Sequence, residues 1–281
     1  MRLRNIRRSR NVVDRRGRGG AGRAGGIGGI GLIAVLAIGY FAGIDVTPFL
    51  NLGQSSDRPA GESRELTAAV TEAGDFVARV LTTTETVWAA VFQAQLGATY
   101  RPPELVLFSE VTQSGCGGAQ GASGPFYCPA DRRAYLDTSF FTFLDTQLGA
   151  GGDFAAAYVI AHEVAHHVQN QTGILAQVAQ LRAGASERDT NALQVRVELQ
   201  ADCYSGIWAE GVADLMDTGD LDEALTAASR IGDDYLQARA GRQPNPHSFT
   251  HGTSAQRARW FEIGRASGRV SDCDTFSAQS L

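Results

Sequence analysis

The sequence contains no lysine, and all 25 of its basic residues are arginine. Nine arginines fall within residues 1–23 beside one acidic residue, Asp14, which gives this segment a net charge of +8 and leaves −13 for the rest of a chain whose total is −5. Nucleic-acid ligands are held mainly by clustered basic side chains on the body of a protein. The acidic body therefore argues against nucleic acid as its ligand.

Charge is absent from residues 25–44, GGIGGIGLIAVLAIGYFAGI. Twenty uncharged residues in a helix cover about 30 Å, the thickness of the hydrocarbon core of a bilayer. We therefore predict one transmembrane helix over 25–44, although its glycines lower helix propensity. The alternative is a cleaved signal peptide. Tyr40 argues against it, because this residue occupies position −3 of a cleavage site ending at Ala42, where a small residue is needed.

The charge distribution around this span predicts its orientation. Arginine-rich flanks stay in the cytoplasm, so we expect a cytoplasmic tail over 1–24 and an extracytoplasmic body in a single-pass membrane protein. The arm RRGRGGAGRAGG could also bind nucleic acid, but beside a hydrophobic span it is more typical of a topology signal lying against anionic lipid. The polar residues before Glu62 indicate a linker over 45–61, followed by one folded domain over 62–281.

No CxxC pair occurs among the four cysteines. If the body is exported, an even number of cysteines favours disulfides, and the short spacing pairs Cys116 with Cys128. Cys203 then pairs with Cys273, closing a loop that contributes about 3 to 5 kcal/mol in the chain-entropy model. The alternative is a reduced Cys203 that serves as a zinc ligand.

The body shows no internal repeat and mostly helical periodicity. We predict helices over 62–95, with a break near 81–84, and over 154–170, 191–213, 221–239 and 254–267. A strand is expected at 104–108, and an irregular hairpin over 114–137 with FYC and RAYLD as its extended parts. The fold class is therefore mainly α with a small β element (α+β).

The segment AYVIAHEVAHHVQNQTG contains the pattern HExxH. On a helix, His162 and His166 project from one face, where both imidazoles can bind one metal ion, whereas His167 points elsewhere. Glu163 is rotated by about 100° from His162 and lies within reach of a metal-bound water. In a chain with five histidines, chance gives this pattern with a probability under roughly one in a hundred. A metal site is therefore predicted.

A catalytic zinc site typically needs a third protein ligand. Glu198 in VELQADCYSGIWA is the best candidate, because its helix could run beside the first one. Asp202, four residues later, could accept the free N–H of a ligating histidine. The nearby carboxylates Glu187, Asp189 and Glu210 remain alternatives at this stage.

HEVAH followed by ELQAD resembles the HExxH and ExxAD motifs of the gluzincin zinc peptidases, in which the second glutamate is the third zinc ligand. Four segments in order, CGGAQGASGPFYCPADRRAYLDTSFF, AYVIAHEVAHHVQNQTG, ELQADCYSGIWA and HGTSAQRARWF, resemble the predicted neutral zinc metallopeptidase family of bacteria. The likeness covers most of the chain after Arg101. It implies a zincin-like metallopeptidase domain behind one membrane span, Zn²⁺ as the cofactor, a peptide or protein substrate, and Glu198 as the third ligand.

The residue types predict a mechanism. Zinc lowers the pKa of bound water towards about 7, and Glu163 would take the proton as that water attacks a peptide carbonyl. For the developing oxyanion we prefer His251 over His247 as the donor. HGTSAQR, which ends at Arg257, resembles the HPxxxxR element of the prenyl-protein and heat-shock membrane peptidases, with Gly252 where they have proline.

Arg257 could hold a carboxylate of the site or the helix above it. The competing interpretation of His251 is a cap at the start of the last helix. Two other function classes stay open: a zinc-stabilised envelope scaffold without turnover, and an amidase acting on cell-wall peptides.

Overall fold

The computed structural model describes residues 1–17, 66–121 and 124–281. Within these ranges the chain is mainly helical with a small β component, which confirms the α+β class. The helices are Ala68–Val91 (α1), Ser139–Thr146 (α2), Asp153–Gln171 (α3), Ile174–Arg182 (α4), Glu187–Gly211 (α5), Asp220–Arg230 (α6), Asp233–Arg239 (α7) and Ser254–Ser267 (α8). The strands are Val12–Asp14 (β1), Glu104–Phe108 (β2), Val111–Ser114 (β3), Gly117–Gln120 (β4), Phe126–Cys128 (β5) and Arg133–Asp137 (β6).

The predicted membrane span over 25–44 and the linker over 45–61 lie outside the described residues. In the part of the chain that is described, no helix has the length and apolar character needed to cross a bilayer. The span and the orientation of the chain about it therefore stay predictions.

Helix α1 is continuous through residues 81–84, where the sequence predicted a break. Threonines lower helix propensity, but here their hydroxyls bond within the helix: Thr83 donates to the Val80 carbonyl at 2.6 Å and Thr84 to the Leu81 carbonyl at 2.8 Å. The Trp208 indole N–H donates to the Thr83 hydroxyl at 3.0 Å. Tertiary packing thus outweighs local propensity, and the prediction of a break is wrong.

The predicted helix over 221–239 is instead two helices, α6 and α7, separated at Ile231 and Gly232. The chain turns there because another loop packs against it. A Cβ added to Gly232 would lie 2.4 Å from the Ser254 backbone nitrogen, and the Asp233 N–H donates to the Gly252 carbonyl at 2.8 Å. This turn joins the start of α7 to the loop that precedes α8.

The main sheet has the strand order β1-β2-β6-β5. Strands β1, β2 and β6 are parallel, whereas β5 runs antiparallel to β6 with Tyr127 opposite Ala134. The predicted pairing of FYC with RAYLD is therefore confirmed. Strands β3 and β4 form a separate antiparallel pair.

Residues 1–17, called the N-terminal arm below, are part of the folded body. Strand β1 pairs with β2 so that Val13 lies opposite Val106, and Leu3 is buried in the main core. The sequence predicted a tail over 1–24 that is separate from the body. The structure differs for residues 1–17, because the body supplies partners for their backbone groups and apolar side chains.

Helix α3 is surrounded by α1, α5 and α6, and its buried face is continuous with the main core. It begins after Gly152, where the Glu223 carboxylate accepts the Phe154 N–H at 2.9 Å, and Gly173 follows its end with φ 83°. The predicted helix over 154–170 is confirmed. The HExxH segment therefore lies on a rigid, buried helix.

Helices α5 and α8 pack at very short distance. A Cβ added to Gly264 would lie 1.8 Å from the Cys203 carbonyl oxygen, and one added to Gly206 would lie 2.0 Å from the Phe261 carbonyl oxygen. Only glycine allows the two backbones to approach this closely. The contact holds the residues of α8 against those of α5 that face α3.

Both predicted disulfides are present. Cys116 and Cys128 are bonded with a Cα–Cα distance of 5.8 Å, and Cys203 and Cys273 with a Cα–Cα distance of 5.6 Å. The alternative of a reduced Cys203 as a metal ligand is therefore wrong. The second disulfide ties the C-terminal segment to the middle of α5.

Candidate metal centre

Three side chains from two helices meet at one point. The Nε2 atom of His162 lies 3.1 Å from Oε2 of Glu198, and the Nε2 atom of His166 lies 3.5 Å from the same oxygen. One nitrogen or oxygen atom from each of the three residues lies within 4.8 Å of the other two. Helix α3 supplies both histidines four residues apart, and α5 supplies the glutamate.

Hydrogen bonds on the far side of each imidazole fix its tautomer. The Nδ1 atom of His162 lies 2.9 Å from a carboxylate oxygen of Asp202, an acceptor, so Nδ1 carries the hydrogen. The Nδ1 atom of His166 lies 2.9 Å from Oε1 of Gln169. The amide nitrogen of Gln169 donates to the Val197 carbonyl at 2.8 Å and to Gln200 at 3.0 Å, so Oε1 is also an acceptor. When the two imidazoles are neutral, as metal binding requires, both Nε2 lone pairs are therefore directed towards the shared point.

Glu198 is held in the same way. Its Oε1 atom accepts a hydrogen bond from the Gln194 amide at 2.7 Å, which leaves Oε2 facing the two histidines. Gln194 lies four residues before Glu198 on α5, so one helix face carries both. Two imidazole nitrogens and one carboxylate oxygen, each with its outer atom bonded, form a donor set that suits Zn²⁺.

Asp202 connects this centre to α8. The carboxylate is fully buried and accepts from Arg257 twice, from Nε at 2.9 Å and from Nη2 at 3.0 Å. The Tyr158 hydroxyl also donates to it and receives a hydrogen bond from Arg257 at 3.1 Å. Asp202 thus lies between His162 and Arg257 and is an acceptor for both.

The electrostatic environment favours positive charge among the ligand atoms. Burial by itself lowers the pKa of His162, but the hydrogen bonds and charges of Asp202 and Glu198 outweigh it and raise that pKa to about 10. Burial by itself raises the pKa of Glu198. The charges of the two histidines outweigh burial and hold that pKa well below its usual range. A cation bound between these groups would be stabilised by the same two carboxylates, Asp202 and Glu198.

Glu163 differs from the other acidic residues at the site. Burial raises its pKa, Glu198 acts in the same direction, and the charges of His166 and His162 oppose this rise. Within the described ranges, its carboxylate has no hydrogen-bond partner. It is therefore a free proton acceptor next to the ligand atoms.

His251 lies in the loop before α8, and 48% of its side chain is exposed. Its Nδ1 atom is 3.0 Å from the Thr250 hydroxyl and 3.4 Å from Oδ1 of Asp233. The partial covering of the ring by protein lowers the pKa of His251, but the hydrogen bond and charge of Asp233 outweigh this effect, so the pKa is raised. The interpretation of His251 as a helix cap is wrong, because Thr253 caps α8 and forms a capping box with Gln256.

The side chain of Asp233 holds this loop by accepting hydrogen bonds from the backbone N–H groups of the loop. Its Oδ2 atom accepts the N–H groups of Thr250 at 2.7 Å, His251 at 2.6 Å and Gly252 at 3.0 Å. Gly252 has φ 90°, a conformation that suits glycine and explains its presence where related motifs have proline. One carboxylate thus fixes the position of three consecutive residues around His251.

The other sequence candidates lie away from the ligand atoms. Glu187 and Asp189 are exposed in the first turn of α5, and Glu210 is exposed at its last turn. His247 is exposed in the turn Pro246–Ser248. His167 is bonded to the Tyr127 hydroxyl at 3.0 Å and to the Arg101 carbonyl at 2.6 Å, in agreement with its predicted direction away from the metal.

Four residues around the site were not singled out from the sequence: Tyr158, Gln169, Gln194 and Asp233. Three of them had a local signal, since Gln169 follows His166 by three residues, Gln194 precedes Glu198 by four and Tyr158 precedes His162 by four, all neighbouring positions on a helix. Asp233 had no such signal, because it belongs to a separate helix and meets His251 only in the folded chain.

A second acidic group, formed by Asp153, Asp220 and Glu223, is close enough to hold a cation. These side chains already have partners. Asp153 and Asp220 lie 2.8 and 3.3 Å from the Met1 amino nitrogen, and Glu223 accepts the Phe154 N–H. The group lacks histidine and is explained by internal contacts.

Two histidines of one HExxH helix and a glutamate from a second helix define the class of zinc-dependent hydrolases with a two-histidine, one-glutamate site. Residues 1–276 match the family described as "Putative neutral zinc metallopeptidase", and the chain belongs to this family. The resemblance drawn from the sequence motifs is thus confirmed.

The chain is 45% identical over 287 residues to the protein YpfJ of Escherichia coli (strain K12), a match that covers 98% of this chain and 99% of that protein. It is also 45% identical over 195 residues to the protein Mb2605 of Mycobacterium bovis, covering 65% of each chain. No solved structure shows significant similarity to the chain.

Proposed function

We propose that the protein is a zinc-dependent peptidase in which Glu163 is the general base. The observation that carries this proposal is the meeting of His162 Nε2, His166 Nε2 and a Glu198 oxygen beside the Glu163 carboxylate, which has no hydrogen-bond partner among the described residues. Bound Zn²⁺ supplies Lewis-acid activation of the peptide carbonyl and of water. The substrate class, a peptide or protein, is inferred from the family description.

The side chains of the site have distinct tasks in this mechanism. Glu163 accepts the proton of the attacking water and returns it to the leaving amine nitrogen. Asp202 and Gln169 keep hydrogen on the Nδ1 atoms, so that Nε2 of each histidine remains a ligand. His251 donates a hydrogen bond to the oxyanion, and Asp233 positions the loop that carries it.

The decisive experiment compares Glu163→Gln with the native chain on unfolded protein substrates. General acid–base catalysis contributes about 10²- to 10⁴-fold, so we expect a loss of that size in kcat with zinc content unchanged. Glu187→Gln, an exposed position on α5, is the matched control and should keep full activity. Undiminished turnover in Glu163→Gln would refute its role as the base.

Metal content tests the ligand set independently. We expect one zinc per chain by elemental analysis of the purified native protein, and a value near zero for His162→Ala, which removes one ligand nitrogen. Zinc bound stoichiometrically but without turnover of any peptide would indicate the scaffold function instead. Cleavage confined to cell-wall peptides would indicate the amidase.

A further inference from the structure

The N-terminal arm lies in a groove formed by the edge of β2 and one side of α1. Its backbone is paired along most of its length: the Leu105 N–H donates to the Asn11 carbonyl at 2.8 Å, and the Arg15 N–H donates to the Leu107 carbonyl at 2.8 Å. Nearer the N-terminus, the Ser9 N–H donates to the Ala78 carbonyl at 3.0 Å. The arm therefore supplies a sheet strand in a defined register.

Side chains make the fit specific. The guanidinium of Arg16, whose side chain is 2% exposed, donates to the Val70 carbonyl at 2.6 Å and to both carboxylate oxygens of Asp14 at 2.9 and 2.7 Å. A Cβ added to Gly74 would lie 2.1 Å from Nη2 of Arg16, so α1 leaves space for this group by having glycine there. Asn11 donates to the Glu85 carboxylate at 2.7 Å.

Other arginines of the arm also have protein partners. Arg8 forms an ion pair with Asp75, and Arg15 donates to the Thr112 hydroxyl at 3.2 Å. An arginine-rich segment that acts only as a topology signal does not need a matched protein surface. The partners on α1 and β3 therefore give these arginines a role in the fold.

We propose that, because the arm is docked in this groove, the arm and the body lie on the same side of any membrane. A single crossing by residues 25–44 would place them on opposite sides, separated by about 30 Å of hydrocarbon. A return crossing would need roughly another 20 apolar residues, and the polar segment that follows, NLGQSSDRPAG, cannot provide them. The docked arm is thus incompatible with the single-pass orientation that the arginine distribution predicts.

Cysteine labelling in intact bacterial cells tests the placement with the full chain. Arg7→Cys puts a thiol on an exposed position of the arm, and Leu181→Cys puts one on the body, where the side chain is 60% exposed. The four native cysteines are all in disulfides, which limits background labelling. With a membrane-impermeant maleimide, we expect the two variants to react alike, either both in intact cells or both only after permeabilisation. Labelling of one site in intact cells and the other only after permeabilisation would overturn the proposal.

Hydrogen exchange of the purified full-length chain tests the docking itself. In the native protein the amides of Leu105 and Arg15 should be protected, because each donates across the arm–body contact. Gly74→Leu, which displaces Arg16, should raise the exchange rate of residues 11–16 at least 10-fold, whereas Thr71→Leu, exposed on the same helix, should leave it unchanged. Unprotected exchange of residues 11–15 in the native chain would also overturn the proposal. Neither readout depends on peptidase activity.

Discussion

The buried ion pair between Arg257 and Asp202 gives the sharpest test of how the site is built. Replacing Arg257 with methionine keeps much of its apolar stem but leaves the fully buried Asp202 carboxylate without two charged hydrogen bonds, at 2.9 and 3.0 Å. Removing one partner of a buried pair typically costs about 3 to 5 kcal/mol. In a protein of this size that lowers Tm by roughly 6 to 20 °C.

The measurement is denaturant unfolding with the disulfides intact and a chelator present, so that zinc affinity does not contribute. Arg259→Met, an exposed position two residues later on α8, is the control and should change the free energy of unfolding by less than about 0.5 kcal/mol. Adding Asp202→Asn to Arg257→Met removes the carboxylate charge that Arg257 no longer balances, so the double variant should be more stable than the sum of the single effects predicts. A loss below about 1 kcal/mol for Arg257→Met, or simple additivity in the double variant, would refute the argument.

Three further predictions concern the metal ligands, the histidine loop and the helix contact. Glu198→Gln should lower zinc affinity more than Asp202→Asn does, and for Asp202→Asn a loss of about 10- to 100-fold is expected. Competition with a chromogenic chelator ranks the zinc affinities of the two variants. The reverse order would mean that the roles of Glu198 and Asp202 are exchanged. Asp233→Asn should lower kcat more than it raises KM. In a His251→Ala background the same change should lower kcat little further, because both substitutions act on the His251 side chain. Full additivity of the two effects in steady-state kinetics would contradict this. Gly264→Ala should destabilise the fold by about 1 to 3 kcal/mol or more, because its Cβ would lie 1.8 Å from a carbonyl oxygen of α5, and an unchanged Tm would argue against this close contact.

The metal-binding helix was predictable because its signal is local. Residues four apart on a helix share a face, so HExxH fixes the direction of both histidines and of Glu163 before any tertiary contact is known. The segment AYVIAHEVAHHV is also largely apolar, which is typical of a buried helix. The disulfide pairing followed from the number and spacing of the cysteines, and both pairs are present.

Two predictions of secondary structure failed because distant residues decide them. Threonines at 82–84 weaken a helix in isolation, yet α1 continues because their hydroxyls and Trp208 provide hydrogen bonds within the packed core. The separation of α6 from α7 at Gly232 depends on the loop before α8, whose Ser254 nitrogen occupies the space of a Cβ. Local propensity carries no information about either partner.

The sequence by itself determined the chemistry: two histidines and an acid on one helix, a helical body, and a second acidic motif, Glu198 and Asp202, that could complete a metal site. Only the tertiary structure decided how these parts meet. It brings Glu198 to the histidines, places Asp202 between His162 and Arg257, and encloses Arg16 of the arm beside Gly74. The physical reason is that these contacts join residues 36 to 58 positions apart, and the orientation of one helix against another depends on packing that no sequence period records.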